Sequence, residues 1–481
     1  MNIKVISKNV GLALLVSALV MFISMIVSVI NGMDSAFGAL SISFIITFVF
    51  GAFPFIFVKE TPAVSIRDGY VIILVSWLLS FIFGMLPYVL WGGEFTLINA
   101  WFESVSGYTT TGSTILTDIE VLPKSLLFWR SSTHFIGGLG VVVFLLLILP
   151  NASPFRLRLT NIEVSSLSRE GYRYRSGRLV RVIVSVYVGL AIVETILLVI
   201  AGMSFFDAVN HAFSTVATGG FSTKNASVGF FSPVIQIIIM VFMVLAATHF
   251  GIIYSVFASR SLKPLKHPVV KYFYGCILVL SVLLIFILKF NCGEKWGQAI
   301  LEGFFNVTTF ITTTGFAISD NNILPPIGMF LILFASIQCG MSGSTTGGLK
   351  ADRVLIFSKA VHSHIYRSIH PSSVSPVRVG NHPLPNETLS FVSLYITLYM
   401  LLMFISTILL SITGVPVVEA ITGAIASLSN VGPGFGEIGS LGNYASQPVF
   451  AKILYTVDMF LGRIEIFPVM AVCSMIFNRD K

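Results

Sequence analysis

The sequence predicts an all-α polytopic membrane protein, in which four span–pore-helix–span repeats surround a central pore and follow two leading transmembrane helices. Three observations predict this fold. Hydrophobic residues make up 55% of the 481 residues and charged residues only 10%, against roughly 25% charged residues in soluble proteins. Apolar stretches of membrane-spanning length recur along the chain, and a short uncharged motif with glycine recurs four times between them. This composition argues against a soluble enzyme with one large core and excludes a disordered or fibrous chain.

Ten apolar stretches are candidates for membrane spans, since one span needs roughly 20 apolar residues. Their approximate bounds are 9–30, 37–58, 69–91, 126–150, 179–202, 232–258, 269–290, 327–365 (interrupted), 388–413 and 448–477. The first stretch follows Lys4 and Lys8 and has no small-residue cleavage site after it. We therefore interpret it as an uncleaved span rather than as a signal peptide.

The basic residues divide unevenly between the two predicted sides of the membrane. With the N-terminus inside, 22 of the 29 Lys and Arg residues fall in inside loops and six fall outside. Basic residues concentrate in cytoplasmic loops of membrane proteins, so both termini are predicted to be cytoplasmic. The same distribution explains the net charge of +8 without a nucleic-acid partner.

Four shorter segments on the predicted outer side look like half-helices, namely Leu97–Tyr108, Phe205–Val216, Trp296–Ile311 and Val417–Leu428. A helix of about 12 residues is roughly 18 Å long, which is about half of the hydrocarbon core. Each segment is therefore predicted to enter the membrane and to return through a loop.

Small polar residues and glycine follow each half-helix. The motifs are T-T-T-G-S-T from Thr109, A-T-G-G-F-S from Ala217, T-T-T-G-F from Thr312 and N-V-G-P-G-F-G from Asn430. The recurrence every 100 residues or so indicates an internal repeat. It divides the chain into two leading helices (1–60) and four pore repeats (61–165, 166–262, 263–370 and 371–481), the third of which holds a broken helix and the loop that interrupts it.

The four loops are candidates for an ion filter. Irregular backbone at membrane depth is tolerated only where it is buried in protein or lines a water-filled path, and rings of carbonyl oxygens replace the hydration shell of a monovalent cation. One such motif alone is more often a turn or a packing feature, but four copies on one side favour the filter. The candidate cation ligands are Thr110, Thr111, Gly112, Ala217, Thr218, Gly219, Gly220, Thr313, Thr314, Gly315, Phe316, Asn430, Val431, Gly432 and Pro433.

The eighth span is interrupted by nine residues that cannot form a stable helix there. They are Gly340, Met341, Ser342, Gly343, Ser344, Thr345, Thr346, Gly347 and Gly348. A flexible loop below the third filter loop is expected, although a packing interruption between helices would leave the same pattern. Arg463 lies inside the last predicted span, where an arginine is costly and by default functional. A structural ion pair with Glu465 or Asp458 is the alternative.

With these motifs the chain resembles the Trk/Ktr/HKT superfamily of potassium transporters, most closely the bacterial Trk-type membrane subunit, over essentially its whole length. The resemblance implies one selectivity glycine in each loop, which we assign to Gly112, Gly219, Gly315 and Gly432, and hence K+ as the transported ion. It implies that the 340–348 loop is the gate and that Arg463 contacts it. It also implies a homodimer in the bacterial inner membrane, with a cytosolic nucleotide-binding regulatory ring of RCK type docked on the basic loops 150–181 and 350–387.

Other interpretations stay open. A K+/Na+ or K+/H+ symporter could share this fold, and an inverted-repeat transporter is disfavoured because all four half-helices enter from the same side. His134 and His249 occupy similar places in repeats one and two, where either packing or a proton relay would explain them, and Glu194 in mid-span has the same ambiguity. The four cysteines form no metal motif. We expect no organic cofactor in this chain, no enzymatic activity, and membrane lipid and the ring as partners.

Overall fold

The computed structural model describes residues 2–59, 62, 64–148, 176–373, 376–380 and 382–477. It is almost entirely helical, which confirms the predicted class. The helices in chain order are α1 (Ile3–Ile30), α2 (Phe37–Phe57), α3 (Ile66–Gly84), α4 (Leu86–Trp91), α5 (Leu97–Tyr108), α6 (Lys124–Ile148), α7 (Ser176–Ile200), α8 (Phe205–Val216), α9 (Pro233–Ala246), α10 (Phe250–Ser259), α11 (Pro268–Phe290), α12 (Trp296–Ile311), α13 (Pro326–Ile337), α14 (Ala351–Ile369), α15 (Asn386–Ile412), α16 (Val417–Leu428), α17 (Val449–Ile464) and α18 (Ile466–Phe477). A two-residue hairpin pairs β1 (Arg378–Val379) with β2 (His382–Pro383).

Six helices in the described residues are both long enough and apolar enough to cross a membrane. They are α1, α2, α3 with α4, α7, α11 and α15, and the bent pair α9–α10 makes a seventh. The other three predicted spans coincide with α6, the α13–α14 pair and the α17–α18 pair, so the number of ten crossings stays a prediction. Most of the predicted cytoplasmic loop 150–181, together with Arg479 and Lys481, lies outside the described residues.

The two leading helices pack closely against each other. A Cβ on Gly11 would lie 2.7 Å from the carbonyl oxygen of Gly51, so the two backbones can approach only because both residues lack a side chain. Close approach at small residues is the usual way for helices to associate in a membrane. The opposite faces of α1 and α2 leave large apolar side chains exposed, among them Leu19 and Ile45.

The four predicted half-helices are helices with the predicted bounds: α5, α8, α12 and α16. Local sequence explains where two of them begin. The hydroxyl of Thr96 accepts a hydrogen bond from the backbone N–H of Asn99, and that of Ser204 accepts one from Asp207, which satisfies N–H groups that the first turn leaves unpaired. The C-terminal halves of all four are buried, so they point into the protein interior.

Two predicted continuous spans are broken. Between α9 and α10 the axis bends by 99° at Ala247–His249, and Glu465, with φ of +71°, separates α17 from α18. Neither break contains Gly or Pro. At the first break the carbonyl oxygen of Ala247 accepts the N–H of Met341, and the His249 side chain accepts the N–H of Gly251 at 2.9 Å. Tertiary hydrogen bonds and a side-chain cap therefore replace the helical pattern there, which the local sequence could not reveal.

Candidate ion pathway

The loops that follow the half-helices share one backbone conformation. A non-glycine residue with φ of 53–55° comes second after each helix end, at Thr110, Thr218, Thr313 and Asn430. A glycine with φ of 77–101° comes two residues later, at Gly112, Gly220, Gly315 and Gly432. Since L-residues rarely adopt such angles, four repetitions of the same pair show that the loops are structural equivalents.

This equivalence corrects the assignment of one glycine. Gly220, not Gly219, matches Gly112, Gly315 and Gly432. Gly219 instead matches Thr111, because its N–H bonds back to the carbonyl oxygen of Ser214 as the N–H of Thr111 bonds to Ser106. The motif A-T-G-G offers two adjacent glycines, and only the end of α8 decides which one takes the left-handed conformation.

The four loops close into a ring in the order of the repeats. A Cβ on Gly112 would collide with the carbonyl oxygen of Gly219, one on Gly220 with that of Thr314, and one on Gly315 with that of Val431. The ring closes where a Cβ on Gly432 would lie 2.5 Å from the carbonyl oxygen of Thr111. Each of the four carbonyl oxygens therefore lies against the glycine of a neighbouring loop, where a residue with a Cβ would not fit.

A cavity of about 110 Å³ lies over this ring and is lined by all four equivalent glycines, Gly112, Gly220, Gly315 and Gly432. We call it the vestibule. The charged residues that line it are Arg130 and Lys224, and Asp118 lies in the sequence between two other lining residues, Thr117 and Ile119. Asp118 accepts a hydrogen bond from the side-chain amide of Asn225 at 2.7 Å, and this bond lowers the pKa of its carboxyl. The Asp118 carboxylate is therefore ionised at neutral pH.

The other candidate ligands lie in or directly behind the ring. Ala217 forms the C-cap of α8, and Phe316 stacks on His211 with ring centroids 5.7 Å apart, so its side chain packs behind the loop. Pro433 would be 3.0 Å from a Cβ on Gly315. The amide of Asn430 donates to Thr111 Oγ1 at 3.0 Å and to the carbonyl oxygen of Met459 at 2.8 Å, so it braces the ring.

A buried ion pair that the sequence motifs do not reveal supports the first two loops. Arg130 Nε lies 2.6 Å from Glu103 Oε1, and both side chains are at most 1% exposed. The Glu103 carboxylate accepts the N–H of Ile115, while the Arg130 guanidinium lies 3.8 Å from the ring centroid of Phe221. The pair thus joins the backbone after Gly112 to the side chain after Gly220. The sequence signal that could have revealed this pair is the presence of an Arg and a Glu in largely apolar segments.

The predicted break in the eighth span is present as a loop, and hydrogen bonds join the two ends of this loop. The N–H of Cys339 donates to the carbonyl oxygen of Leu349, and the N–H of Ala351 donates to that of Gly340. Asp352, in the first turn of α14, accepts from the N–H of Ser342 at 2.9 Å and from its hydroxyl at 2.6 Å. The nine residues 340–348 therefore form a loop between α13 and α14 whose two ends are held together.

The tip of this loop lies against the inner ends of the filter candidates. Thr345 Oγ1 donates to the carbonyl oxygen of Val216 at 2.9 Å, and Thr218 Oγ1 donates to the carbonyl oxygen of Thr345 at 3.1 Å. The N–H of Gly347 donates to Thr313 Oγ1 at 3.1 Å. The loop therefore contacts repeats two and three at the end of the ring opposite the vestibule, where the sequence placed it.

Two basic side chains donate hydrogen bonds to the tip of the loop. Arg463 Nη1 donates to the carbonyl oxygen of Thr345 at 2.6 Å, and Lys350 Nζ donates to that of Thr346. The alternative pairing of Arg463 is wrong: Glu465 pairs with Arg353 at 2.8 Å, and Asp458 accepts from Ser406. Arg463 is 3% exposed, and its Nε and Nη2 atoms find no hydrogen-bond acceptor in the described part of the chain.

The two histidines lie next to glycines of the pathway. His134 stacks on Phe221 with centroids 4.0 Å apart and would collide with a Cβ on Gly219. His249 would be 2.7 Å from a Cβ on Gly343 in the 340–348 loop. These contacts favour the packing interpretation for both. Glu194 is fully buried on α7.

Known proteins share both the sequence and this architecture. A family model described as TrkH, a cation transport protein, matches residues 38–481. The chain belongs to the TrkH family of cation transport proteins. The Trk system potassium uptake protein TrkH of Salmonella typhimurium is 32% identical over 427 residues, 88% of each chain, and that of Halomonas elongata is 32% identical over 488 residues, 100% of each. The crystal structure of the potassium transporter TrkH from Vibrio parahaemolyticus superposes with a TM-score of 0.89 at 28% identity, covering 100% of both chains.

Proposed function

We propose that this chain is the ion-translocating subunit of a potassium uptake system, and that K+ passes through the ring of the four loops. The observation that carries the proposal is the ring itself, in which carbonyl oxygens of all four repeats contact glycines of neighbouring repeats, and the four equivalent glycines line one cavity. Relatives of similar length are named potassium uptake proteins of the Trk system. The family is one of transporters, which agrees with a role other than that of an enzyme.

The chemistry of the ring suits a dehydrated monovalent cation. Uncharged carbonyl oxygens replace water ligands without binding the ion too tightly to leave. The motifs that form the ring contain no charged residue. A membrane potential that is negative inside drives entry, at about 2.3 kcal/mol per charge per 100 mV.

The loop 340–348 is the proposed gate. Its tip contacts the inner end of the ring, where it accepts hydrogen bonds from the side chains of Arg463 and Lys350. A conducting state requires that the tip move away, which breaks the hydrogen bond from Arg463 to Thr345. Helix α14 begins shortly after the loop and lies within the predicted cytoplasmic segment 350–387. A movement of that segment would therefore reach the gate through the hydrogen bonds between Asp352 and Ser342.

A Trk system consists of more than one component, and this chain supplies its membrane part. In the proposed assembly two copies form a homodimer with one pore each in a bacterial inner membrane, both termini being cytoplasmic. A cytosolic nucleotide-binding ring of RCK type docks on the basic segments 150–181 and 350–387 and controls the gate.

Potassium-limited growth and cation flux test the proposal with two variants. Gly112→Ser would place a side chain against the carbonyl oxygen of Gly219, so we expect the preference for K+ over Na+ to fall. Deletion of residues 340–348 is expected to raise flux. An unchanged preference would refute the filter, and unchanged flux would refute the gate. Reversal potentials in defined K+, Na+ and H+ gradients separate a channel from a symporter.

A further inference from the structure

One corner of the ring differs from the other three. The carbonyl oxygen of Gly432 accepts a hydrogen bond from the Ser113 hydroxyl at 3.1 Å and another from the Tyr444 hydroxyl at 2.8 Å. Both donors are buried, with 3% and 2% of their surface exposed. Ser113 belongs to repeat one and Tyr444 to the segment after the fourth loop, so the junction of repeats four and one is bonded through side chains.

The equivalent carbonyl groups have no such partners. No hydrogen bond from any described residue reaches the carbonyl oxygen of Gly112, Gly220 or Gly315. The positions that match Ser113 in the other repeats are Phe221, Phe316 and Pro433, none of which carries a hydroxyl. The asymmetry therefore follows from the sequence of this chain and not from a general property of the loop.

A carbonyl oxygen has two lone pairs, and at Gly432 both are already engaged. A cation that took this oxygen as a ligand would have to displace a buried hydroxyl and leave it without a partner, which is unfavourable. The four glycines, and not the residues that precede them, line the vestibule, so we infer that the glycine carbonyls are the ones nearest to it.

We propose that the cation site nearest the vestibule is built from three carbonyl oxygens, those of Gly112, Gly220 and Gly315, and that the ion keeps a water molecule at the Gly432 corner. Ser113 and Tyr444 are the positioning residues that set this asymmetry. The inference rests on the proposed function, since it assumes that cations occupy the ring. The incoming ion then loses its hydration shell in two steps, because the fourth corner exchanges water for carbonyl only at the next site.

Rubidium provides the test, since its anomalous scattering reports occupancy site by site. We expect the wild-type protein crystallised in RbCl to show lower occupancy at the site beside the vestibule than at the next site. The Ser113→Ala/Tyr444→Phe variant frees the Gly432 carbonyl, so occupancy there should rise. The external K+ concentration that half-saturates uptake should fall roughly two- to tenfold, the usual weight of one hydrogen bond.

Tyr455→Phe is the matched control. The Tyr455 ring packs against that of Tyr444, with centroids 5.1 Å apart, and its hydroxyl has no hydrogen-bond partner in the described residues. This variant should behave as the wild type does. If the double variant gains no Rb+ at the outer site, or only loses K+ over Na+ preference together with thermal stability, the two hydroxyls merely hold the loop and the inference is overturned. Rb+ missing from the whole ring in the wild type would instead overturn the proposed function.

Discussion

Arg463 and Thr345 are 118 positions apart in the sequence, yet Nη1 of the arginine donates to the carbonyl oxygen of the threonine at 2.6 Å. The bond joins the end of α17 to the tip of the 340–348 loop. A charged donor and a buried acceptor make it one of the stronger contacts that the loop has, and it has to break before the loop can leave the ring.

Arg463→Gln should therefore increase cation flux measured without any cytosolic partner. Loss of a hydrogen bond from a charged group costs about 1.5–3 kcal/mol, which corresponds to a shift of roughly 10- to 150-fold in the closed-to-open equilibrium. Flux into proteoliposomes measures it. Lys452→Gln is the control, because Lys452 is a cation on the same helix that donates to Asn99 and Ala445 and not to the loop. Equal flux in both variants would show that Arg463 does not hold the gate.

The register of the second loop predicts that its two glycines respond differently. Gly220→Ser adds a side chain at φ of +81° and against the carbonyl oxygen of Thr314, so the K+ over Na+ permeability ratio should fall, as we also expect for Gly112→Ser. Gly219→Ala meets the His134 ring instead. Its defect should be one of stability, and a second substitution, His134→Ala, should relieve it. A loss of selectivity in Gly219→Ala/His134→Ala that matches Gly220→Ser would restore the original assignment.

The Arg130–Glu103 pair predicts a large and non-additive effect on stability. Arg130→Met leaves a fully buried carboxylate without its cation, and breaking a buried pair in this way costs about 3–5 kcal/mol. Arg130→Met/Glu103→Gln removes the charge and retains an acceptor for the N–H of Ile115, so it should recover more than half of that loss. Thermal unfolding in detergent measures both. Additive losses would mean that the two side chains stabilise the loops independently.

Asp352 predicts a gate phenotype from the base of the loop. Asp352→Ala removes the acceptor of two hydrogen bonds from Ser342. We therefore expect the basal cation flux to rise about tenfold. Glu387→Ala removes an exposed acidic residue from the first turn of another helix, α15, and should leave flux unchanged. If Asp352→Ala lowers flux at normal expression, the base of the loop stabilises the open state instead.

The sequence predicts what depends on local composition. The half-helices have the predicted bounds, and the predicted break 340–348 lies within the observed non-helical segment 338–350, because apolar periodicity and runs of Gly, Ser and Thr decide both within a few residues. The assignment of Gly219 was wrong because A-T-G-G is ambiguous until the end of α8 is known. The break at Ala247–His249 and the partner of Arg463 depend on hydrogen bonds to residues about 100 positions away, which no local pattern encodes.

Each corner of the ring is encoded by its own residues, because all four repeats belong to one chain. In a pore made of four identical subunits, one codon alters every corner together, so three-plus-one arrangements are difficult to obtain. Here Gly112, Gly220, Gly315 and Gly432 can be changed one at a time. The corner beside Ser113 and Tyr444 can thus diverge from the rest without altering them, and the contribution of each quarter of the pore can be measured by ordinary point substitution.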